Sequence, residues 1–367
     1  MKIAITGTRG VPNHYGGLEQ FAERVSELLV KRGYEVLVYN PHYHPYQQTE
    51  YKAVSVIHKW NPEKKIGGWG NFIYDYLCLR DAVSRKCDAI LVCGYTTASV
   101  SYFVVPFRKS KIITNIDGLE WKRSKLSPLV QKATKWFEKI AVTKSHAVIS
   151  DNPGIEAYVE QNYPGAKSYM IEYAADLYES RDASALEKFN LEKFNYNIMI
   201  CRLEPENNIE IILDGVVKSK SAMKMYICAR NDHKYGSYLK DKYSNESRIV
   251  FLGWVGGQNV LNDLRNYSAL YFHGHSVGGT NPSLREAMAG GALIAAHGNV
   301  FNRNVLKENA VFFLTPDEAA AIIDNNDTVQ GHRAQFIASN LERIKTYYNW
   351  ENIADMYDSM FRDILKK

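Results

Sequence analysis

Residues 273–291 of this 367-residue chain, HGHSVGGTNPSLREAMAGG, bring glycines, a helix start and a glutamate together in one stretch that could bind a charged ligand. Gly278 and Gly279 leave a loop without side chains, Thr280 follows, and Asn281 with Pro282 has the grammar of a helix start. Asn at the cap accepts from an orphan amide, and Pro at the first position has no N–H to leave unsatisfied. The amides at such a start, with the helix dipole behind them, favour negative charge, so the stretch is expected to hold a diphosphate. Glu286 falls about one turn in, where its carboxylate can reach a paired diol such as a ribose; by itself it also reads as an ordinary surface glutamate.

A second set lies at residues 201–208, CRLEPENN, directly after an apolar run that reads as a strand. Arg202 stands at the strand end with Glu206 and Asn207 beyond Pro205, and a guanidinium there can neutralise phosphate oxygens by paired hydrogen bonds. His273 and His275 alternate around Gly274 like a metal pair, but no acid accompanies them. They read as shape or sugar contacts, and no metal is expected. Near the N-terminus, GTRGVPNHYGGLEQF places Gly16 and Gly17 before a helix, where backbone N–H groups can approach an anion or sugar; the other reading is a tight turn. A nicotinamide site would want GxGxxG here and an acid after the second strand. The chain has GxxG and Asn40, which argues against that cofactor. In NIDGLEW, Asp117 ends a strand and is the candidate for orienting or deprotonating an acceptor hydroxyl, the alternative being a turn aspartate before Gly118.

The elements that must position these residues follow from the hydrophobic pattern. KIAIT, EVLVYN, AVSVIH, AILVC, KIITNI and HAVIS read as strands with helices between several of them, and YNIMIC, KMYICA, RIVFLG, ALYFHG, ALIAAH and AVFFL restart the series. Such alternation predicts an α/β fold of two Rossmann-like, doubly wound parallel-sheet domains. The expected division is a domain over residues 1–175, a linker over 176–195, a second domain over 196–346 and a C-terminal helix over 347–367 that packs back on the first domain. In the first helix, Leu18, Phe21, Val25, Leu28 and Leu29 keep helical spacing and Gly33 is the stop. Both ligand-binding motifs of the second domain then sit at carboxyl ends of parallel strands, where open α/β sheets bind ligands.

Composition narrows the class. Hydrophobic residues make up 46% and charged residues 23%, ordinary for a globular protein. Five scattered cysteines without a CxxC pair favour a reducing compartment over a disulfide framework, and a cytoplasmic location is expected. Residues 89–107 form an uncharged run long enough to cross a bilayer, yet Gly94, Thr96, Thr97, Ser99 and Ser101 dilute it, and it reads as a strand followed by a helix. Net charge is +5. Residues 120–140 concentrate Lys122, Arg123, Lys125, Lys132, Lys135 and Lys139 around Trp121, Trp136 and Phe137. That mixture suits an anionic membrane surface or an acceptor bound there; a solvated helix with a few core aromatics is the competing reading. Nucleic acid is not expected, since no binding motif accompanies the charge.

RLEPENN resembles the RxxPEKN segment, and GGTNPSLREAMAGG resembles the nucleotide-sugar loop, of bacterial glycosyltransferases of family 4. TRGVPNHYGGLEQF and NIDGLEWKRSK are similar to the rhamnosyltransferase-like subgroup used in surface polysaccharide assembly, capsule included. The resemblance spans nearly the whole chain and implies the GT-B fold, two facing domains with a cleft between them. It further implies a metal-independent transferase without a cofactor, moving a sugar with retention from a nucleotide sugar to a glycan or lipid-linked acceptor. Rhamnose from dTDP-rhamnose is the donor expected for the subgroup, and the inner face of the plasma membrane the peripheral location. Asp117, Arg202 and Glu286 would be the catalytic set, with Gly16, Gly17, Glu206, Asn207, His273, Gly278, Gly279, Thr280 and Asn281 completing the donor site. Two positions depart from the pattern: Gly278 stands where relatives carry a carboxylate, and Asn207 where they carry a phosphate-binding Lys. A nucleotide-sugar epimerase of the same fold and a catalytically silent binding protein remain as alternatives.

Overall fold

The computed structural model describes every residue except 117, 124, 125, 180, 181, 278 and 367. The chain divides into two compact units, one of Met1–Lys122, Leu126–Ala174 and Trp350–Lys367, the other of Arg123–Lys125 and Ala175–Asn349. The strands are β1 (Lys2–Thr6), β2 (Glu35–Pro41), β3 (Glu50–Tyr51), β4 (Val54–Lys59), β5 (Ala89–Val92), β6 (Lys111–Ile116), β7 (Ala147–Ser150) and β8 (Ser168–Met170) in the first unit. In the second they are β9 (Tyr196–Ile200), β10 (Lys224–Cys228), β11 (Ile249–Gly253), β12 (Leu270–His273), β13 (Ile294–His297) and β14 (Val311–Phe313). Among the helices are α1 (Gly17–Lys31), α2 (Trp69–Ser84), α3 (Pro128–Lys144), α4 (Ile209–Lys218), α5 (Gln258–Asn266), α6 (Pro282–Ala289) and α7 (Trp350–Leu365).

In the first unit the sheet order is β3-β4-β2-β1-β5-β6-β7-β8, parallel except for the short β3 against β4. Helices cover both faces of such a sheet, so its strands carry apolar residues continuously. Ile3, Ala4 and Ile5 are fully buried, as are all four residues of β5. α1 buries Phe21, Ala22, Val25 and Leu29, and Gly33, with φ +84°, follows its C-cap. The amide of Tyr34 closes on the Leu29 carbonyl at 3.1 Å, completing that helix end. α7 belongs to this unit: Ile353, Tyr357, Met360 and Phe361 share a core with Phe21 and Val25. At its rim Arg32 pairs with Glu351 and Asp355, and the Tyr34 hydroxyl donates to Asp358 at 2.6 Å.

The second sheet is entirely parallel, in the order β11-β10-β9-β12-β13-β14. Residues 176–195, read from sequence as a linker, group with this unit; they contain the short helix Ser184–Glu187, and Leu186 and Leu191 are buried in its core. The apolar run over residues 89–107 becomes β5, the helix Tyr95–Ala98 and the 3-10 turn Ser99–Phe103. Among the described residues no helix is long and apolar enough to cross a membrane. All five cysteines are free thiols.

Candidate functional site

β9 is the first strand of the second unit and lies between β10 and β12, so the chain turns to opposite sides of it at the ends of β9 and β12. Loops leaving such strands diverge and open a crevice, the usual ligand site of an open parallel sheet. Here those loops are the two stretches that sequence singled out. They are tied together below the crevice. Asn208 donates from Nδ2 to the Gly274 carbonyl at 2.7 Å, and the Ser276 amide donates to the Glu206 carbonyl at 3.0 Å. Gly274 is required by this approach: a Cβ there would lie 1.9 Å from the Asn207 carbonyl oxygen.

Asn207, which replaces the family's Lys, has a structural occupation. Its Nδ2 donates to the Arg202 carbonyl at 2.6 Å, which leaves Oδ1 to accept from Nδ1 of His275 at 2.9 Å. Burial, with the cations nearby, pushes His275 down to about 4, and burial beside His275 pushes His273 down to about 3. Both rings are therefore neutral near pH 7. Among the described residues no group of three His, Cys, Asp or Glu side chains is placed to hold a metal. The His275 carbonyl accepts from the side-chain amides of Asn299 and Asn302 at 2.9 and 3.0 Å, contacts that no sequence spacing announces.

Arg202 is exposed at the end of β9, and its guanidinium makes no hydrogen bond or ion pair among the described residues. Glu206 is the reverse: it is buried, neither carboxylate oxygen accepts a hydrogen bond among the described residues, and a cation facing it is Arg123, 3.5 Å from Oε1 in the same unit. Asn281 caps α6 by accepting the Ser283 amide at 2.9 Å, and the Leu284 amide closes on the Asn281 carbonyl at 3.1 Å. The amides of Ser283 and Leu284 are thus met by the chain itself. The turn of the motif precedes this helix start. Gly279 and Thr280 of that turn are buried; Gly278 lies outside the described residues.

Glu286 has a partner that sequence reading missed. Arg265, at the end of α5 and 1% exposed, donates to Glu286 Oε2 at 2.8 Å and to Asn262 Oδ1 at 2.8 Å. The Glu286 side chain is 21% exposed and is held by a buried cation. Arg285, fully buried, donates to the Thr280 hydroxyl at 3.2 Å and stacks over Tyr348 at 4.1 Å, bracing the loop from behind. Arg265 lies 21 residues from Glu286, and a polar residue on an amphipathic helix carries no sign of such a pairing.

In the first unit, β1 and β5 form the corresponding switch point, and again glycines meet: a Cβ on Gly7 would lie 2.6 Å from the Gly94 amide nitrogen. The loop after β1 is clipped to its surroundings. Asn40 accepts from the Val11 amide and donates to the Val11 carbonyl, which explains an amide where a nicotinamide site would have an acid. The amides of Arg9 and Asn13 go to Glu19 and Glu23 of α1, and those of Tyr15 and Gly16 to Asn13 Oδ1. Gly16 caps α1 without a side chain, and Gly17 is its first residue. Asp117 lies outside the described residues, as does Lys125.

Two of the basic residues expected at a membrane or acceptor face have carboxylate partners within the protein. Arg123 faces Glu206, and Lys135 pairs with the buried Glu138 at 2.8 Å amid the rings of Trp121, Tyr158 and Tyr163. Lys122, Lys132 and Trp136 are exposed, and Trp121 is half-buried.

Comparison with known proteins bears on the fold. Residues 1–176 match the model of a Domain of unknown function (DUF1972). No curated protein matches the chain. Solved structures that resemble it include the sucrose-phosphate synthase of Thermosynechococcus elongatus, with a TM-score of 0.80 at 16% identity over 100% of this chain and 99% of that one. An Anabaena protein, HepE, in complex with UDP-glucose gives 0.75 at 14% identity over 98% of both chains. A glycosyltransferase from Rickettsia africae gives 0.74 at 13% identity over 100% of this chain and 98% of that one. At these identities the likeness is one of fold, and the chain has a GT-B-like fold of two Rossmann-like units.

Proposed function

We propose that the protein is a glycosyltransferase of the family 4, rhamnosyltransferase-like kind, moving a sugar with retention from a nucleotide sugar to a glycan or lipid-linked acceptor in surface polysaccharide assembly. One observation carries the reading: at the β9/β12 switch point Arg202 is exposed at the end of β9 with no ion pair among the described residues, while Glu286, on the helix that follows the β12 loop, is held by Arg265 with its side chain partly exposed. Negative charge that develops on a leaving nucleoside diphosphate is stabilised by a preorganised cation and backbone N–H groups, and neither needs a metal. The nucleotide-sugar complex of HepE is consistent with a donor of this class. dTDP-rhamnose is the donor proposed here. One oxygen of Glu286 is already committed to Arg265, which leaves the other for a ligand hydroxyl, and a deoxyribose offers one such hydroxyl where a ribose offers two. Asp117 keeps the proposed role of orienting the acceptor hydroxyl.

The test is calorimetric titration with dTDP, UDP, GDP and ADP in the presence of a chelator, followed by turnover with and without acceptor. Binding of dTDP that weakens about tenfold or more in Arg202→Ala is the expected result. Asp117→Asn should abolish most turnover and leave dTDP affinity unchanged. Absence of binding across the panel refutes the donor site, and a changed sugar nucleotide released without acceptor points to the epimerase instead.

A further inference from the structure

One face of the first unit is apolar, exposed and of one charge sign, and it is assembled from segments far apart in sequence. Trp69, 74% exposed at the start of α2, stacks on Phe72 with ring centres 5.6 Å apart. Phe72 meets Phe137 of α3 at 5.7 Å, and Phe137 meets Trp136 at 5.5 Å. A continuous aromatic row therefore joins the two helices. Along α3, residues 129, 132, 136 and 139 share a face by their spacing, and all four are exposed: Leu129, Lys132, Trp136 and Lys139. Along α2 the row continues through Ile73 and Tyr76 to Arg80, where an open groove of about 240 Å³ is lined by Tyr76, Arg80, Val83, Val104 and Pro106. Phe103 and Val104 are exposed beside it, with the Lys144 ammonium 5.3 Å from the Phe103 ring.

The charges on this face decide its partner. Exposed cations are Lys64, Lys65, Arg80, Lys132, Lys139 and Lys144. Over residues 60–86 and 126–145 the acids are Glu63, Asp75, Asp81 and Glu138, and none offers negative charge to solvent. Glu63 is forked by Arg9, Asp81 by Lys59 and Arg85, Glu138 is buried against Lys135, and Asp75 is buried with Thr97 donating to it. Protein interfaces deplete lysine, whereas a plane of anionic headgroups over hydrocarbon takes aromatic side chains and lysines together. We infer that the face formed by α2, α3 and the turn Ser99–Phe103 docks on an anionic lipid surface, the tryptophans entering at headgroup level and the lysines meeting phosphates. This deepens the proposed use of a lipid-linked acceptor, and extends the membrane contact from residues 120–140 to a surface that α2 shares.

Flotation of the full chain with vesicles tests it. Binding is expected to vesicles of equal parts phosphatidylcholine and phosphatidylglycerol, and not to phosphatidylcholine alone. Trp69→Ser with Trp136→Ser, and separately Lys132→Glu with Lys139→Glu, should each weaken binding by about tenfold or more. Lys240→Glu, an exposed lysine of the second unit, should not. Melting curves show whether each variant is folded, and because the substitutions are at exposed positions both are expected to be. Absence of vesicle binding, or binding that ignores both pairs of substitutions, overturns the inference. So does concentration-dependent self-association lost in the tryptophan pair, which would assign the face to a second copy. Calorimetry with dTDP on the same preparations reads the donor site separately, so failure on lipid and failure of the transferase reading are distinguishable.

Discussion

The two charged residues nearest the proposed donor differ in what they cost the fold. Arg202 is exposed and uncommitted, so Arg202→Ala should shift the urea unfolding free energy by no more than about 0.5 kcal/mol. Glu286 neutralises a guanidinium that is 1% exposed, and Glu286→Ala leaves that charge buried without its carboxylate. Loss of about 3 kcal/mol is expected from such a truncation. A fall in nucleotide affinity in Glu286→Ala therefore mixes two causes, and Glu286→Gln, which keeps an acceptor for Arg265, is the cleaner probe. An equal urea midpoint for Glu286→Ala and the unmodified chain would show that the pair carries no structural weight. At this scale the exposed half of the site was legible from sequence: an arginine at a strand end and a glutamate past a proline-started helix are local patterns. Arg265, Arg285 and the asparagines under His275 were not, because their contacts are made between segments brought together only by the sheet.

Elements carry a second kind of constraint, set by how closely their ends approach. Gly274→Ala puts a Cβ 1.9 Å from the Asn207 carbonyl, on a loop fixed from both sides, and should destabilise by about 3 kcal/mol or more. Gly33→Ala meets nothing within 4 Å and bears only the backbone penalty of its φ of +84°, about 1 kcal/mol. Similar losses for the two in urea unfolding would contradict the packing at the switch point. A different effect belongs to α2, where burial pushes the Asp75 carboxyl up to about 7 while the Thr97 hydroxyl, donating to it, partly offsets the rise. Between the unfolded value of 3.8 and about 7 the folded chain keeps a proton that the unfolded chain has released, so stability falls as pH rises through that window and stays reduced above it. Asp75→Asn is neutral throughout; it should match the unmodified chain near pH 4 and exceed it at pH 8 by on the order of 2 kcal/mol, read from urea midpoints. A constant difference across that range would remove Asp75 as the cause. Strands were the most legible elements, since both sheets are covered on both faces and apolar runs such as AILV announce themselves. β3 and β8 escaped notice because they are two and three residues long, with a polar or half-exposed pattern.

At the scale of the whole molecule, the two units are interleaved in sequence: beyond Ala174 the chain belongs to the second unit until it returns to the first at Trp350. The returning helix α7 has Ile353, Tyr357, Met360 and Phe361 on its buried face, all within 1% of full burial, and they lie against Phe21, Val25 and Leu29 of α1. Each such side chain contributes about 1.5–3 kcal/mol on burial, and the compact unfolded chain reduces the total, so α7 is worth several kcal/mol to a unit whose other elements come from the first half of the sequence. The ion pairs of Arg32 with Glu351 and Asp355 are solvent-facing and add little. A chain ending at residue 349 should therefore lose its first unit selectively. Limited proteolysis is expected to cut within residues 1–174 of the truncated chain and to spare 175–349, whose core holds no residue of α7. Phe361→Ala in the full chain is a milder version, costing about 3–5 kcal/mol as a buried aromatic removed from a packed core. Uniform resistance of both units to protease after truncation would show that α1 and the first sheet hold without α7, and that the C-terminal segment serves something other than the first unit's stability.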